Sequence, residues 1–264
     1  MSGSAISLGL QLGGGKSATS SGRAAGGGGA LVNQFSVDFD GTNDFMAIGS
    51  SYDLGCLSLW FKPDSTITDS SAPKAIVGFT GVSNFAVFAG IQTGSVAGAV
   101  NNELITLYTG DWVYAYTSSS ATIDTNWHHL AIRWGGSDYE IYLDGVQVKN
   151  ADGQVVGNQS KAKIPISNFN VAKRNDNNRF FAGLIDEVAI WSNPLSASDT
   201  IALYNSGVPS DLTDLSPNGW WRMGDNDGGS GTTITDQGVD PSGNPSGNNG
   251  NLTNGPTFSS SVPS

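Results

Sequence analysis

Apolar residues recur at every second position through most of this chain, a period that builds strands and leaves little room for helices. Phe35, Val37 and Phe39 share one side of a stretch that ends at Asp40-Gly41, and Leu57, Leu59 and Phe61 repeat the pattern before Pro63. Further apolar stretches run over Ala75 to Phe79, Phe85 to Ile91, Leu104 to Tyr108, Trp112 to Tyr116, Trp127 to Trp134 and Glu140 to Val148. In the last of these, Asp144-Gly145 between Ile141/Leu143 and Val146/Val148 predicts a tight hairpin. Many short strands separated by turn residues predict an all-β fold, a two-sheet antiparallel sandwich or jelly roll. One short helix is expected in "NPLSASDTIALYNSG". There Ser196 caps, Asp199 faces back toward the cap, Ile201, Leu203 and Tyr204 supply anchors, and Gly207 suits the stop.

A chain of 264 residues can bury one sizeable core, so a single domain with flexible ends is the expectation. Only 13% of residues are charged, against 36 glycines, so solubility rests on Ser, Thr, Asn and Gly, as suits an extracellular or particle surface. The net charge of -11 argues against nucleic acid or an anionic membrane as partner, since both require clustered cations. No stretch has the apolar length of a membrane span. Cys56 is the single cysteine, which excludes an internal disulfide and a CxxC site. The N-terminus lacks the charged and apolar regions of a secretory signal, and a protein assembled in the cytoplasm and released within a particle would reconcile that with the surface-like composition.

Residues 1–34 divide in two. Ile6, Leu8, Leu10 and Leu12 alternate with Ala5, Ser7, Gly9 and Gln11, and the Gly/Ser/Ala tract Gly13 to Gly29 reads as a flexible tether. This describes either an attachment arm on a tether or a first strand of the sandwich. At the other end, Trp220-Trp221-Arg222-Met223 reads as a strand and Ile234 marks another. The Gly, Asn, Pro and Ser rich tail from Gln237 reads as surface loop.

Three blocks carry a resemblance. "NWHHLAIRWGGSDYEIYLDGVQV" (Asn126 to Val148), "FAGLIDEVAIWSNPLSASDTIALYNSG" (Phe181 to Gly207) and "FSVDFDGTNDFMAIGSS" together make residues 35–207 similar to the laminin-G-like, concanavalin A-like jelly-roll family. In many of its members a segment like "WWRMGDNDGGSGTTITD…SGNNGNLTNGPTF" precedes the "FDGTND" strand; here it comes last. The chain therefore resembles a circular permutant, or a piece cut from a tandem array one segment out of phase, with Trp220 to Met223 expected beside the first strand so that residues 219–264 complete a domain running from 35 to 264. Such C-terminal placement is similar to laminin-G-like structural proteins of marine bacteriophages.

The candidate chemistry is sparse. "LQLGGGKS" lacks the Gly six positions before Lys that a phosphate loop needs. His128 and His129 are adjacent in a strand, face opposite ways and cannot share one metal there. The glycanases of this fold class carry a Glu-x-Asp-x-x-Glu strand, which is missing, and Asp186-Glu187 are expected on opposite faces, so catalysis is not expected. Asp186 has the parity of Val188 and Ile190 and is expected to point into the core, where it requires donors or a cation. The resemblance implies a structural calcium there, shared with Asp40 or Asp44. Trp60, on the face of Ser58 and Lys62, and the stripe Trp112, Tyr114 and Tyr116 are candidates for glycan stacking, with core packing or a subunit contact as the more usual role of sheet aromatics.

The expectation drawn from these readings is a non-enzymatic virion protein, in which the arm pairs with a neighbouring sheet edge and the jelly roll faces outward. Its partners would be other virion proteins of capsid or tail, further copies of itself, or a host-surface glycan. The alternative is a carbohydrate-binding module or adhesin of a bacterial surface protein.

Overall fold

A computed structural model describes residues 31–67, 74–81, 85–89, 105–109, 112–115, 123–134, 139–148, 164–174 and 179–264, with 80–81, 85–89, 105–109, 112–115, 139 and 164 given by their backbone. The strands form two antiparallel sheets. Sheet 1 contains β1 (Ser36–Asp40), β4 (Cys56–Pro63), β9 (His128–Trp134), β10 (Tyr139–Leu143), β11 (Val146–Gln147), β13 (Ala182–Trp191), β14 (Gly219–Trp221) and β17 (Thr257–Ser259). Its order is β11-β10-β9-β4-β13-β1-β17, with β14 also on β13. Sheet 2 contains β2 (Phe45–Ile48), β3 (Tyr52–Leu54), β5 (Lys74–Gly81), β6 (Phe85–Ala89), β7 (Ile105–Thr109), β8 (Trp112–Ala115), β12 (Ile164–Val171), β15 (Thr233–Ile234) and β16 (Gly250–Thr253). Its order is β15-β16-β2-β12-β5-β6-β7-β8, with β3 also on β12. The Asp144-Gly145 turn joins β10 to β11, both residues at positive φ.

The core lies between the sheets. Phe39, Phe61 and Val188 of sheet 1 meet Met46, Phe79 and Phe169 of sheet 2, and Trp221 sits among them with its ring edge-on to Phe169. A second apolar cluster lies on the other side of sheet 1, where Cys56, Ala131, Ala189 and Trp191 are covered by Leu203, Leu212 and Trp220. Helix α1 (Ala197–Ala202) belongs to that cover, capped by Ser196 Oγ, which accepts from Asp199 N at 3.0 Å. With both faces of its centre covered, β4 is buried along nearly its whole length instead of alternating.

The C-terminal segment departs from expectation in two ways. Trp220 and Trp221 pair with Ala189 and Val188 of β13, whereas the neighbour of β1 on its other side is β17, through Val37 and Phe258. The tail expected as loop also supplies β16 to sheet 2 and β17 to sheet 1, linked by Asn254 and Gly255 at positive φ. Both strands lean on one apolar residue each, Leu252 and Phe258, too little alternation to stand out in the sequence.

Candidate functional site

Three groups of residues carry chemistry beyond packing, and the first is the face of sheet 2 turned away from the core. Strand register fixes which positions share it, because side chains directly opposite on paired strands lie on one side of a sheet. Leu252, Met46, Val171 and Val77 form one row on the core side, and the backbone register continues that row through positions 87, 107 and 113. The neighbouring row is Thr233, Asn251, Ala47, Asn170, Gly78, Ala86, Tyr108 and Trp112, and so belongs to the outer face. Tyr114 occupies the next outer row, opposite Thr106, which is opposite Phe88. Tyr116 lies outside the described residues. Lys173 borders the same face, its ammonium 3.8 Å from the centre of the Phe45 ring. Its backbone crosses Gly78 so closely that a Cβ there would stand 2.4 Å from Lys173 O.

The second group sits on the outer side of sheet 1, at a β-bulge. Asp186 pairs with Trp60 and Ala189 with Ser58, so two residues of β13 stand against one of β4. Glu187 is the inserted residue, at φ 46. The bulge corrects two expectations: Val188 and Ile190 point to the core, but Asp186 and Glu187 both turn to the outer side. Asp186 is fully buried, accepting from Glu187 N at 2.8 Å and from Asn33 Nδ2 at 2.9 Å. Glu187 is 3% exposed and accepts from Trp220 Nε1 at 2.6 Å and Arg222 Nε at 3.0 Å. Arg222 also donates through Nη2 to Asp225 and to Val32 O, both at 2.7 Å, and Asp225 Oδ1 accepts from Gln34 N and Phe35 N. Residues 31–34, expected as the end of the tether, thus lie on the domain, with Leu31 packed on the second apolar cluster.

Burial sets the protonation of this pair. Desolvation pushes Asp186 well above the ordinary carboxyl range, and the adjoining Glu187 charge pushes the same way. Desolvation likewise raises Glu187 to about 7, against the pull of Arg222.

The calcium set does not assemble. Asp40 pairs with Ala182, four strand residues from Asp186, a separation of roughly 13 Å at about 3.3 Å per residue. Asp40 Oδ1 accepts backbone N–H groups of Thr42, Asn43 and Asp44, and Asp44 is turned back on Asp40 N. Among the described residues no group of His, Cys, Asp or Glu converges in the manner of a metal site. A calcium shared by Asp186, Asp40 and Asp44 therefore does not fit this chain.

The third group surrounds the histidines, which face opposite ways. His128 bridges Asp144, 2.8 Å from Nδ1, and Asp124, 3.2 Å from Nε2; these carboxylates outweigh desolvation and raise its pKa. His129 is 1% exposed, its Nε2 lies 2.8 Å from Ser58 Oγ, and burial lowers its pKa to about 3. A serine beside a histidine is the start of a nucleophilic pair, but His129 Nδ1 has no hydrogen-bond partner to orient it. Trp60 belongs to this buried group: it is 3% exposed and stacked against Tyr204, ring centres 5.8 Å apart. Of the roles open to it, Trp60 therefore takes core packing rather than glycan stacking, because the helix and the residues after it cover this face.

This arrangement defines a lectin-type sandwich, and the chain belongs to the concanavalin A-like lectin/glucanases superfamily, whose laminin-G-type family model matches residues 26–200. No curated protein matches the sequence. Among solved structures, a candidate carbohydrate-binding protein from Bacteroides ovatus superposes with a TM-score of 0.61 at 16% identity, over 88% of this chain and 62% of that one. The chain thus spans under two thirds of that protein's length. Domain 4 of the extracellular arabinanase AbnA from Geobacillus stearothermophilus, solved with arabinotriose, matches with a TM-score of 0.44 at 18% identity, over 64% and 76% of the two chains. The Ruminococcus gnavus sialidase module CBM40, solved with α2,3 sialyllactose, matches with a TM-score of 0.42 at 11% identity, over 67% and 99%. At these identities the likeness is one of fold.

Proposed function

We propose that the domain binds glycan without cleaving it, through the outer face of sheet 2. The observation that carries this reading is the cross-strand row in which positions Tyr108 and Trp112 stand opposite each other beside Ala86. Two aromatic positions next to a position of minimal bulk suit a flat sugar ring, which offers C–H groups to a π face. The Bacteroides protein of like fold, itself a candidate carbohydrate binder, supports the same reading. Against cleavage stands the burial of the adjacent carboxylates Asp186 and Glu187, which turn to a common face but are sealed beneath residues 32–35 and Trp220. Glycan-array screening followed by calorimetry on Trp112→Ala and Tyr108→Ala tests it. A loss of tenfold or more in affinity with unchanged melting is the expected result; full binding by both variants would refute the site.

For its setting, we propose a virion protein of capsid or tail, held by residues 1–34 and presenting the sandwich outward. The likeness of its C-terminal "GWWRMGDNDGG" placement to phage structural proteins supports this, as does the apolar alternation Ile6, Leu8, Leu10 and Leu12, which suits strand addition to a neighbour. Mass spectrometry and cryo-EM of purified particles test it. Absence from particles would favour a carbohydrate-binding module or adhesin of a bacterial surface protein.

A further inference from the structure

We propose that His128 is a proton-gated bridge between two loops, tying Asp124 to the Asp144-Gly145 turn while its ring is doubly protonated and letting go of Asp124 when one proton leaves. The protonation follows from geometry. Nδ1 lies 2.8 Å from Asp144 Oδ2 and Nε2 lies 3.2 Å from Asp124 Oδ1, so both ring nitrogens face carboxylate oxygens. A neutral imidazole carries one N–H and one lone pair; it can satisfy one of these contacts, and at the other it sets lone pair against lone pair. The carboxylates are themselves engaged as acceptors. Asp124 takes Asn126 N at 2.7 Å and Asn126 Nδ2 at 2.8 Å, and the backbone bond holds it below the usual carboxyl range. Asp144 Oδ1 takes His129 N at 2.8 Å.

The two arms of the bridge are unequal. The turn is locked to β9 whatever the charge on His128, because Asp144 N donates to His129 O at 2.9 Å and Asp144 Oδ1 accepts from His129 N. Asp124 is the more exposed carboxylate, 52% against 33%, and begins an exposed run, 124–126, that is held only at its ends, by the Ile67–Ile123 bridge and by β9. Loss of a proton therefore keeps Nδ1–H on Asp144 and turns the Nε2 lone pair toward Asp124, which swings to solvent. Among the described residues the charges facing the ring are Asp124, from the loop before β9, and Asp144, from the turn after β10. β4 presents the uncharged Phe61 ring, centre to centre 5.7 Å, while Lys62 beside it faces the other way and is bonded to Ser261. Burial opposes the charged ring, but the two carboxylates more than offset it, so the proton is kept above the ordinary 6.5. The bridge is thus complete below pH 6.5 and opens as pH rises through the raised value. Below that transition the 124–127 loop and the 144–145 turn move as one body; above it they move separately.

Nitrogen-15 NMR of the full chain between pH 6 and 9 tests the bridge. The His128 ring nitrogens should both be protonated at the acid end, the midpoint should lie above 6.5, and Nδ1 alone should keep its proton beyond it. Across the same transition the Thr125 and Asn126 backbone order parameters should fall from about 0.85 toward about 0.6 while that of Gly145 holds. Asp124→Asn should lower the midpoint and remove the pH dependence at Thr125 and Asn126. A midpoint at or below 6.5, a neutral ring protonated on Nε2, or order parameters that ignore the transition would overturn the proposal, as would an unaltered response in the variant. Should the variant not fold, the wild-type titration decides by itself, since ring protonation and loop order are read from the same samples.

Discussion

The indole nitrogen of Trp220 donates to Glu187 Oε2 at 2.6 Å, while the other oxygen of the same carboxylate takes Arg222 Nε at 3.0 Å. Two residues separated by one position at the start of the C-terminal segment thus hold both oxygens of a bulge residue in β13. This welds the segment to the sandwich on the outer side of sheet 1 while Trp221, between them, fills the core. Among the described residues Arg222 is the cation bonded within a group that also includes Asp186 and Asp225, so its removal strands buried negative charge. Arg222→Met should lower stability by about 3–5 kcal/mol, the usual cost of breaking a buried pair from one side. Urea unfolding at pH 7 measures it, and a loss below about 1 kcal/mol would mean that the cluster repacks or takes up protons at little cost.

His129 gives the chain an acid-sensitive element. Its folded pKa is depressed to about 3 from 6.5 because the ring is buried, so below pH 6.5 the unfolded chain takes up a proton that the folded chain refuses. Stability from this group is complete above 6.5 and falls as pH drops toward 3. The Asp186–Glu187 pair, with raised values, acts in the opposite sense and favours the folded state as pH falls. The two are separated by comparing variants: relative to His129→Gln, the wild type should lose about 3 kcal/mol between pH 7 and pH 4. Parallel stability curves for the two proteins would show that His129 is not buried in its neutral form.

Much of the sandwich could be read locally because each strand's alternation is its own. The Asp144-Gly145 hairpin and the Ser196 cap are decided by neighbours within a few residues. Parity arguments failed at Asp186, where a single inserted residue reverses the side that follows, and a bulge of this kind leaves no local mark beyond an Asp-Glu pair. Trp60 could not be assigned between core and glycan stacking for another reason: alternation identifies one buried face, and nothing in β4 announces that a helix far downstream and the residues after it will cover the other. On the outer face of sheet 2, Trp112 and Tyr114 stand out as a stripe within one strand, but the rest of the row joins positions from eight strands, and Tyr108 stands opposite Trp112 only through the β7–β8 register. Partner strands are long-range facts, whereas faces are local ones.

Helix α1 has six residues and depends on its cap. Ser196 Oγ accepts from Asp199 N at 3.0 Å and donates to Asp199 Oδ2 at 2.6 Å, and Thr200 Oγ1 bonds back to Ser196 O. A helix this short has few internal bonds to share the loss, and it leads into Leu203 and Tyr204, which cover Cys56 and Trp60. Ser196→Ala should cost about 1 kcal/mol. Thermal unfolding checks the magnitude, and faster modification of the Cys56 thiol would report the loosened cover directly.

Gly78 links the fold to the proposed binding face. A methyl group there would stand 2.4 Å from Lys173 O and 2.9 Å from Arg174 Cα, so Gly78→Ala forces the 173–174 backbone away from β5. The ladder of β5 with β6 does not depend on that approach, and the strain should cost about 1–3 kcal/mol, as for other overpacked sites. The displaced loop also carries Lys173 off the Phe45 ring, altering the border of the outer face. Gly78→Ala is therefore expected to weaken glycan retention several-fold while the protein remains folded, measured by affinity electrophoresis beside scanning fluorimetry. Unchanged retention in a destabilised protein would confine the binding surface to the far end of the row, around Tyr108 and Trp112.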